Sequence, residues 1–208
     1  MKEYWQNRIA KQGINAVSTI GDVQKRTVDE INFLTKNIRR IYPEKVKLAV
    51  DFGAGWGRLL PVLAATSERQ ILVDFVEQNE VLWEEFCSAN SSCKFSVSRI
   101  RDFSNCELAD YAFSSFSLLH IVDDNEYIES VVNMINSVRA GGYIFIYESY
   151  NNGGELSPHC SERNRSQFLF PFNNRVILDS EISWRSRYQP YDTNFHQPIK
   201  LFIFRGLI

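Results

Sequence analysis

The residues Asp51-Phe-Gly53-Ala-Gly55-Trp-Gly57-Arg58 set a carboxylate two positions before three glycines spaced at every second residue. An apolar run from Leu48 leads into them, and Leu59, Leu60, Val62 and Leu63 follow with helical spacing. Glycines at a strand-to-helix turn let the backbone approach a ligand, because no Cβ blocks it and positive φ is allowed. The helix beyond would present free N–H groups and a positive dipole end. Such a turn is a cradle for a nucleotide-like ligand. Farther along, His120, Glu148 and Tyr150 stand at or just past the ends of apolar runs, where proton-transfer groups would meet a ligand held at the same edge. His120 leads this set, because an imidazole of ordinary pKa about 6.5 can be neutral and still accept a proton near neutrality. A packing or capping histidine is the plain alternative.

The elements that must position these groups alternate between helix and strand. From Thr27, Val28, Ile31, Leu34, Ile38 and Ile41 keep a helical period that Pro43 ends, and the strand into Asp51 follows at once. Gln70 to Asn79 reads as a second strand closing in a carboxylate. Glu77, 24 residues beyond Gly53 and followed by polar residues, is the preferred acid at that strand end, with Asp74 in reserve. Residues 79–90 read as a helix, Lys94 to Phe103 as a short strand ending at Asp102, and Asp110 to Asp124 as a fourth strand whose carboxyl end carries His120. Asp123 or Asp124 caps a helix over Tyr127, Ile128, Val131, Met134, Ile135 and Val138, which Ala140-Gly-Gly stops, and Tyr143 to Glu148 is a buried strand. This alternation predicts an α/β fold, a doubly wound and mostly parallel sheet.

A dinucleotide fingerprint, Gly-x-Gly-x-x-Gly, would need glycine where this chain has Arg58. The order Asp-x-Gly-x-Gly-x-Gly instead resembles motif I of the class I methyltransferases, which use S-adenosylmethionine and release S-adenosylhomocysteine. The resemblance covers most of the chain from Thr27 onward and is strongest over Asp51 to Arg58. It implies that Asp51, Gly53, Ala54, Gly55, Trp56, Gly57 and Arg58 hold the amino-acid end of the cofactor. Glu77 and Gln78 would meet the ribose, while Asp102, bracketed by Arg101 and Phe103, would meet the adenine; Asp102 as a turn cap is the alternative. Phe116 would line the same site. His120, beside the transferred methyl, Glu148 and Tyr150 would be the catalytic set. No metal is implied. Residues 1–26, polar and irregular, open on Tyr4-Trp5 and Arg8, which in similar methyltransferases fold over the cofactor as a lid; a purely structural role competes with it. Residues 27–150 would then form the cofactor-binding core and 151–208 a substrate-side loop and terminal hairpin, all within one domain.

The near balance of 23 basic and 25 acidic residues, net charge −2, leaves no global field for nucleic acid or an anionic membrane. Nucleic acid is therefore the least favoured acceptor. A small molecule leads, such as a sugar or a secondary-metabolism intermediate, for O- or N-methylation. A protein terminus or side chain is second, on a short likeness of Val73 to Gln78 to protein N-terminal methyltransferases, and a catalytically inactive cofactor-binding module is the further alternative. No apolar run approaches the roughly 20 residues of a membrane span. Four cysteines without a Cys-x-x-Cys pair point to ordinary thiols in a reducing, cytoplasmic setting.

The tail breaks the alternation. Residues 151–174 read as a binding loop in which Arg163 and Arg165 form a solvated face, or else meet an acidic substrate. Val176 to Tyr188 and Ile199 to Arg205 read as two strands joined by Pro190 to Asn194. Leu201 to Phe204 is apolar on both faces, as a strand inserted within a sheet would be. Trp5, Phe168, Phe170, Phe172, Trp184 and Tyr188 would wall the acceptor pocket, with Arg185 and Arg187 on one face.

Overall fold

The computed structural model describes residues 2–13, 23–86, 92–149, 159–161, 163–184 and 199–207. Its elements run α1 (Lys2–Gln12), α2 (Val23–Ile41), β1 (Val46–Phe52), α3 (Leu60–Thr66), β2 (Ser67–Asp74), α4 (Glu77–Phe86), β3 (Cys93–Val97), β4 (Ala109–Ser115), α5 (Asp124–Asn136), β5 (Val138–Glu148), α6 (Arg165–Leu169), β6 (Val176–Trp184) and β7 (Ile199–Gly206). Short 3-10 turns lie at Ile100–Asp102, Leu118–His120 and Phe170–Phe172.

The seven strands form one sheet in the order β3-β2-β1-β4-β5-β7-β6, with β1 to β5 parallel and β7 antiparallel to both neighbours. This is the expected doubly wound sheet with its terminal hairpin. Side chains of successive strand residues point to opposite faces, and the strands use this to build two cores. Val50, Phe52, Ile144, Ile146, Phe202 and Phe204 pack on one face, while Ala49, Phe145, Tyr147, Leu201 and Ile203 pack on the other. A strand with apolar side chains on both faces can only sit inside the sheet, and β7 does so between β5 and β6.

Several boundaries differ from those read in the sequence. Residues 1–26 are not irregular throughout: α1 is helical, and α2 begins at Val23 rather than Thr27. The apolar stripe of α1 is too narrow to show as a period, since Ile9 is its only buried residue. β2 ends at Asp74, where its carboxylate takes the N–H of Val76 and starts a turn, so Glu77 opens α4 instead of closing a strand. β4 ends at Ser115, and His120 rides on a separate 3-10 turn. The Gly141-Gly142 pair lies inside β5 instead of separating it from α5: Gly141 has φ of 70°, and a Cβ on Gly142 would lie 2.6 Å from the Asp110 carbonyl oxygen.

The aromatic residues of the tail are also placed differently. Phe168 and Phe172 are core residues packed on Phe202 and Phe204, with Phe172 stacked on Phe204 at 4.2 Å. Phe170 is exposed, and Trp184 stacks on Phe33. Tyr188, Arg185, Arg187 and the turn at Pro190 lie outside the described residues, as does most of the 151–162 loop. Arg163 is buried, against the solvated reading: it pairs with Asp124 at 2.7 Å, donates to the Ile121 carbonyl at 2.6 Å and lies 4.0 Å over the Tyr127 ring. No helix among the described residues is long and apolar enough to cross a membrane.

Candidate functional site

Strand registers set four short segments side by side at one edge of the sheet. Phe52 aligns with Val73 and Ser114, and Ser115 aligns with Tyr147, so the ends of β1, β2, β4 and β5 share one edge. Open α/β sheets bind ligands there.

The glycine loop leaves β1 at this edge with Gly53, Gly55 and Gly57 at φ of 74°, 56° and 93°. These glycines have different reasons to lack a side chain. A Cβ on Gly53 would stand 2.2 Å from the Ser117 Cβ, so Gly53 lets the loop pack against the turn that carries His120. A Cβ on Gly55 would meet nothing within 4 Å, so Gly55 faces open space that a ligand can enter. The backbone of Gly53 and Ala54 donates to the Val73 carbonyl at 2.8 and 3.1 Å, and the Gly55 N–H donates to Asp74 at 3.0 Å. Asp74 thus holds the loop's shape. Trp56 is half-buried, and Arg58 turns back to pair with buried Glu30 on α2 and to donate to Thr27 at 2.9 Å.

Asp51 is 2% exposed, and its Oδ1 has no hydrogen-bond partner among the described residues. Burial, then the neighbouring Asp74, pushes its carboxyl up to about 8, with Arg58 pulling the other way. A buried acceptor without a donor is costly, and a cationic ligand group would satisfy it. The Gln78 Oε1 is likewise buried and unpaired, whereas Glu77 is exposed and pairs with Lys2 of α1 at 2.8 Å. Of the residues expected near a ring, Phe103 is buried edge-on against Phe52, and Asn133 of α5 ties down the turn by donating to the carbonyls of Ile100 and Phe103. Arg101 and Asp102 are exposed, with Arg101 paired to Glu129.

The second half of the site hangs on β4 and β5. Phe116, the residue after β4, has φ of 50°, a left-handed conformation rare for a bulky side chain. Its N–H donates to the Tyr147 carbonyl at 3.0 Å. This reversal aims the Ser117–His120 turn back at the glycine loop, where the Ser114 and Ser117 hydroxyls each donate to the Phe52 carbonyl at 3.0 Å. Under the turn lies Glu148, fully buried, accepting from the Leu119 and Ser149 N–H groups at 3.2 and 3.3 Å. Burial still pushes its carboxyl up to about 8 against those backbone bonds.

His120 is half-buried, and the enclosure drives its imidazole down to about 4, against the pull of the His159 carbonyl, so the ring is neutral at pH 7. Its Nδ1 lies 3.0 Å from that carbonyl oxygen. Trp5 meets its ring edge-on at 4.9 Å, Tyr4 stacks on His159 at 4.2 Å, and Arg8 donates to the Tyr4 hydroxyl at 2.8 Å. The structure therefore brings Trp5, Arg8 and His120 together. Tyr150 lies outside the described residues. Sequence reasoning missed Ser117, His159 and Cys160. His159 and Cys160 sit in a stretch with no hydrophobic period and no paired-cysteine spacing to mark them.

No family model matches the chain. Over 155 residues it is 28% identical to phosphoethanolamine N-methyltransferase 3 of Arabidopsis thaliana, a match covering 71% of this chain and 30% of the plant protein. The chain thus corresponds to under a third of that relative's length. The N-methyltransferase NodS from Bradyrhizobium japonicum, solved with S-adenosylhomocysteine, superposes with a TM-score of 0.78 over 99% of this chain and 97% of its own at 13% identity. Phosphoethanolamine N-methyltransferase 1 of Haemonchus contortus, solved with phosphoethanolamine and S-adenosylhomocysteine, superposes with a TM-score of 0.73 over 99% of this chain and 48% of its own at 20% identity. The fold is that of the class I S-adenosylmethionine-dependent methyltransferases, and the resemblance read from Asp51 to Arg58 holds at that level.

Proposed function

We propose that this chain binds S-adenosylmethionine and transfers its methyl group to a small-molecule acceptor, with an amine as the favoured acceptor atom. The observation that carries the reading is the joint between Gly53 and Ser117, which sets an open glycine cradle against the turn bearing a neutral histidine. The relatives support an amine, since both the plant and the nematode proteins are named phosphoethanolamine N-methyltransferases.

The residues present fit the cofactor. The unpaired Asp51 Oδ1 suits its ammonium, and the space at Gly55 admits its amino-acid end. The unpaired Gln78 Oε1 and the exposed Glu77 suit its ribose hydroxyls, and Phe103, Arg101 and Asp102 border the adenine side. When bound, S-adenosylmethionine supplies an electrophilic methyl on a sulfonium. The chain's own task is alignment and dryness, and such positioning is worth up to about 7–11 kcal/mol in the best model systems. His120 takes the proton that an ammonium or hydroxyl acceptor must lose, Glu148 holds the turn that carries it, and Trp5 with Arg8 on α1 closes over the pair as a lid. The unbridged thiols of Cys106 and Cys160 suit a cytoplasmic setting.

Calorimetry with S-adenosylhomocysteine, followed by transfer of labelled methyl to phosphoethanolamine and amino sugars, tests the proposal. Binding with incorporation into at least one amine is the expected outcome. Absence of binding by either sulfur nucleotide would overturn it.

A further inference from the structure

Two side chains beside His120, to which the proposed methyl transfer gives no role, complete a set of metal-ligating type. Ligand atoms of His120, His159 and Cys160 all lie within 4.8 Å of one another. The Cys160 Sγ is 3.6 Å from the His120 Nδ1. In a tetrahedral centre with metal–sulfur bonds of about 2.3 Å and metal–nitrogen bonds of about 2.0–2.1 Å, the sulfur-to-nitrogen edge is about 3.6 Å. One edge is therefore already at ligand spacing, and the remaining pairs, no farther apart than 4.8 Å, need to close by at most about 1.5 Å.

The protein holds these groups in place by means that do not depend on a metal. The Ser161 N–H donates to the Leu119 carbonyl at 2.7 Å, which pins the segment carrying His159 and Cys160 to the turn carrying His120. The two imidazole rings lie nearly parallel, 20° apart, with centroids at 5.4 Å. Tyr4 covers His159 and Trp5 covers His120, so the cluster has an aromatic wall on the α1 side. Two nitrogens and one sulfur, with no carboxylate among them, select a borderline or soft cation over magnesium or calcium. Three protein ligands leave a fourth position open.

We propose that His120, His159 and Cys160 bind one divalent cation of the zinc class, with its fourth position open to water or to a donor atom of a small molecule. Binding breaks the Cys160 S–H bond, forms a sulfur–metal bond and releases one proton to the buffer, while the His120 Nδ1 gives up its contact with the His159 carbonyl and the ring carries its one proton on Nε2. A ring nitrogen of His120 is then committed to the cation, so loading withdraws it from proton transfer and a chelator restores it. The site shares His120 with the methyl-transfer reading, but its occupancy can be read without turnover.

Cobalt(II), a coloured substitute for zinc, is the probe. The whole chain is stripped with chelator and titrated with cobalt. One equivalent should give the intense visible bands of a tetrahedral centre and a near-ultraviolet thiolate-to-cobalt band, and zinc should displace both. Cys160→Ser should remove the thiolate band, and His159→Asn should weaken cobalt binding by about tenfold or more. Circular dichroism and the cooperativity of thermal unfolding verify that each variant is folded. A pale octahedral spectrum in the unaltered chain, or a thiolate band that persists in folded Cys160→Ser, overturns the proposal. Either result is independent of whether the chain transfers methyl groups.

Discussion

Asp51 is a residue whose charge this fold makes expensive, and that expense has a direction with pH. Its neighbours are Asp74, which opposes ionisation, Arg58, which favours it, and the Tyr111 hydroxyl. Because the folded carboxyl, at about 8, stands above the ordinary 3.8, the folded state holds the proton more tightly. Stability from the neutral acid is then fully present below the unfolded value and is lost as pH rises toward the folded one. A bound ammonium reverses the preference by favouring the carboxylate, so S-adenosylhomocysteine affinity should climb as pH is raised through that folded value. Asp51→Asn should flatten the profile and cost about 1.5–3 kcal/mol of binding, roughly ten- to a hundredfold in affinity. Calorimetry across the range decides it; an affinity indifferent to both pH and the substitution removes Asp51 from the site. At this scale the sequence was legible where spacing is local. Asp51 and its glycines announce themselves within seven positions, whereas His159 and Cys160 reach His120 only through a loop without period. The strand reads through to Glu77 because the apolar run continues past the point where the Asp74 carboxylate ends the strand by capping Val76.

Among the described elements, α1 is held by few buried contacts. Its apolar anchor is Ile9 against Val76, with Trp5, Phe75 and Leu82 half-buried around them, and its ion pair to Glu77 is exposed. Surface pairs of that kind are worth at most about 1 kcal/mol. By contrast α5 buries Tyr127, Ser130, Val131 and Met134 and has an Asp123 cap. Elements with few buried contacts open at low cost, so α1 amides should exchange with solvent well before those of α5. If α1 is a lid, S-adenosylhomocysteine should slow that exchange, and removing residues 1–12 should lower turnover while α5 stays protected. Hydrogen exchange with and without the nucleotide checks this, and an α1 as protected as α5 in the free chain would remove the idea of a lid. The same weakness explains why α1 was hard to see in the sequence. Helices that bury a wide stripe, such as α2 with Leu34 and Ile38 fully buried, repeat every third or fourth residue, and one anchored by a single isoleucine does not. The reversal at Phe116, a residue the resemblance places at the site, was equally invisible, because a left-handed aromatic residue is fixed by the Tyr147 carbonyl and not by any local pattern.

At the scale of the whole molecule, the sheet separates the edge that carries the site from the aromatic packing that holds it up. Phe204 pairs in register with Ile144, in the middle of β5, whereas Lys200 pairs with Glu148 at the site edge. Phe204 is 1% exposed and stacks on Phe172 with ring planes only 4° apart. Removing such a ring leaves a cavity that neighbours paired on both sides cannot collapse into, and Phe→Ala in cores costs about 3–5 kcal/mol. That is a large part of the roughly 5–15 kcal/mol that holds a typical domain together. Since β7 hydrogen-bonds to both β5 and β6, the loss should be felt by the entire sheet and unfolding should remain one transition. Ile177, 44% exposed on the edge strand β6, provides the contrast: Ile177→Ala should stay within about 0.5 kcal/mol of the parent. Both variants should keep the parent's affinity for S-adenosylhomocysteine, because neither touches the edge where Asp51, Gly55 and His120 converge. Denaturant unfolding paired with calorimetry separates the outcomes. A two-step transition in Phe204→Ala would show that the terminal hairpin folds apart from the parallel strands, and lost affinity in a variant that remains folded would show that the site reaches farther down the sheet than its edge.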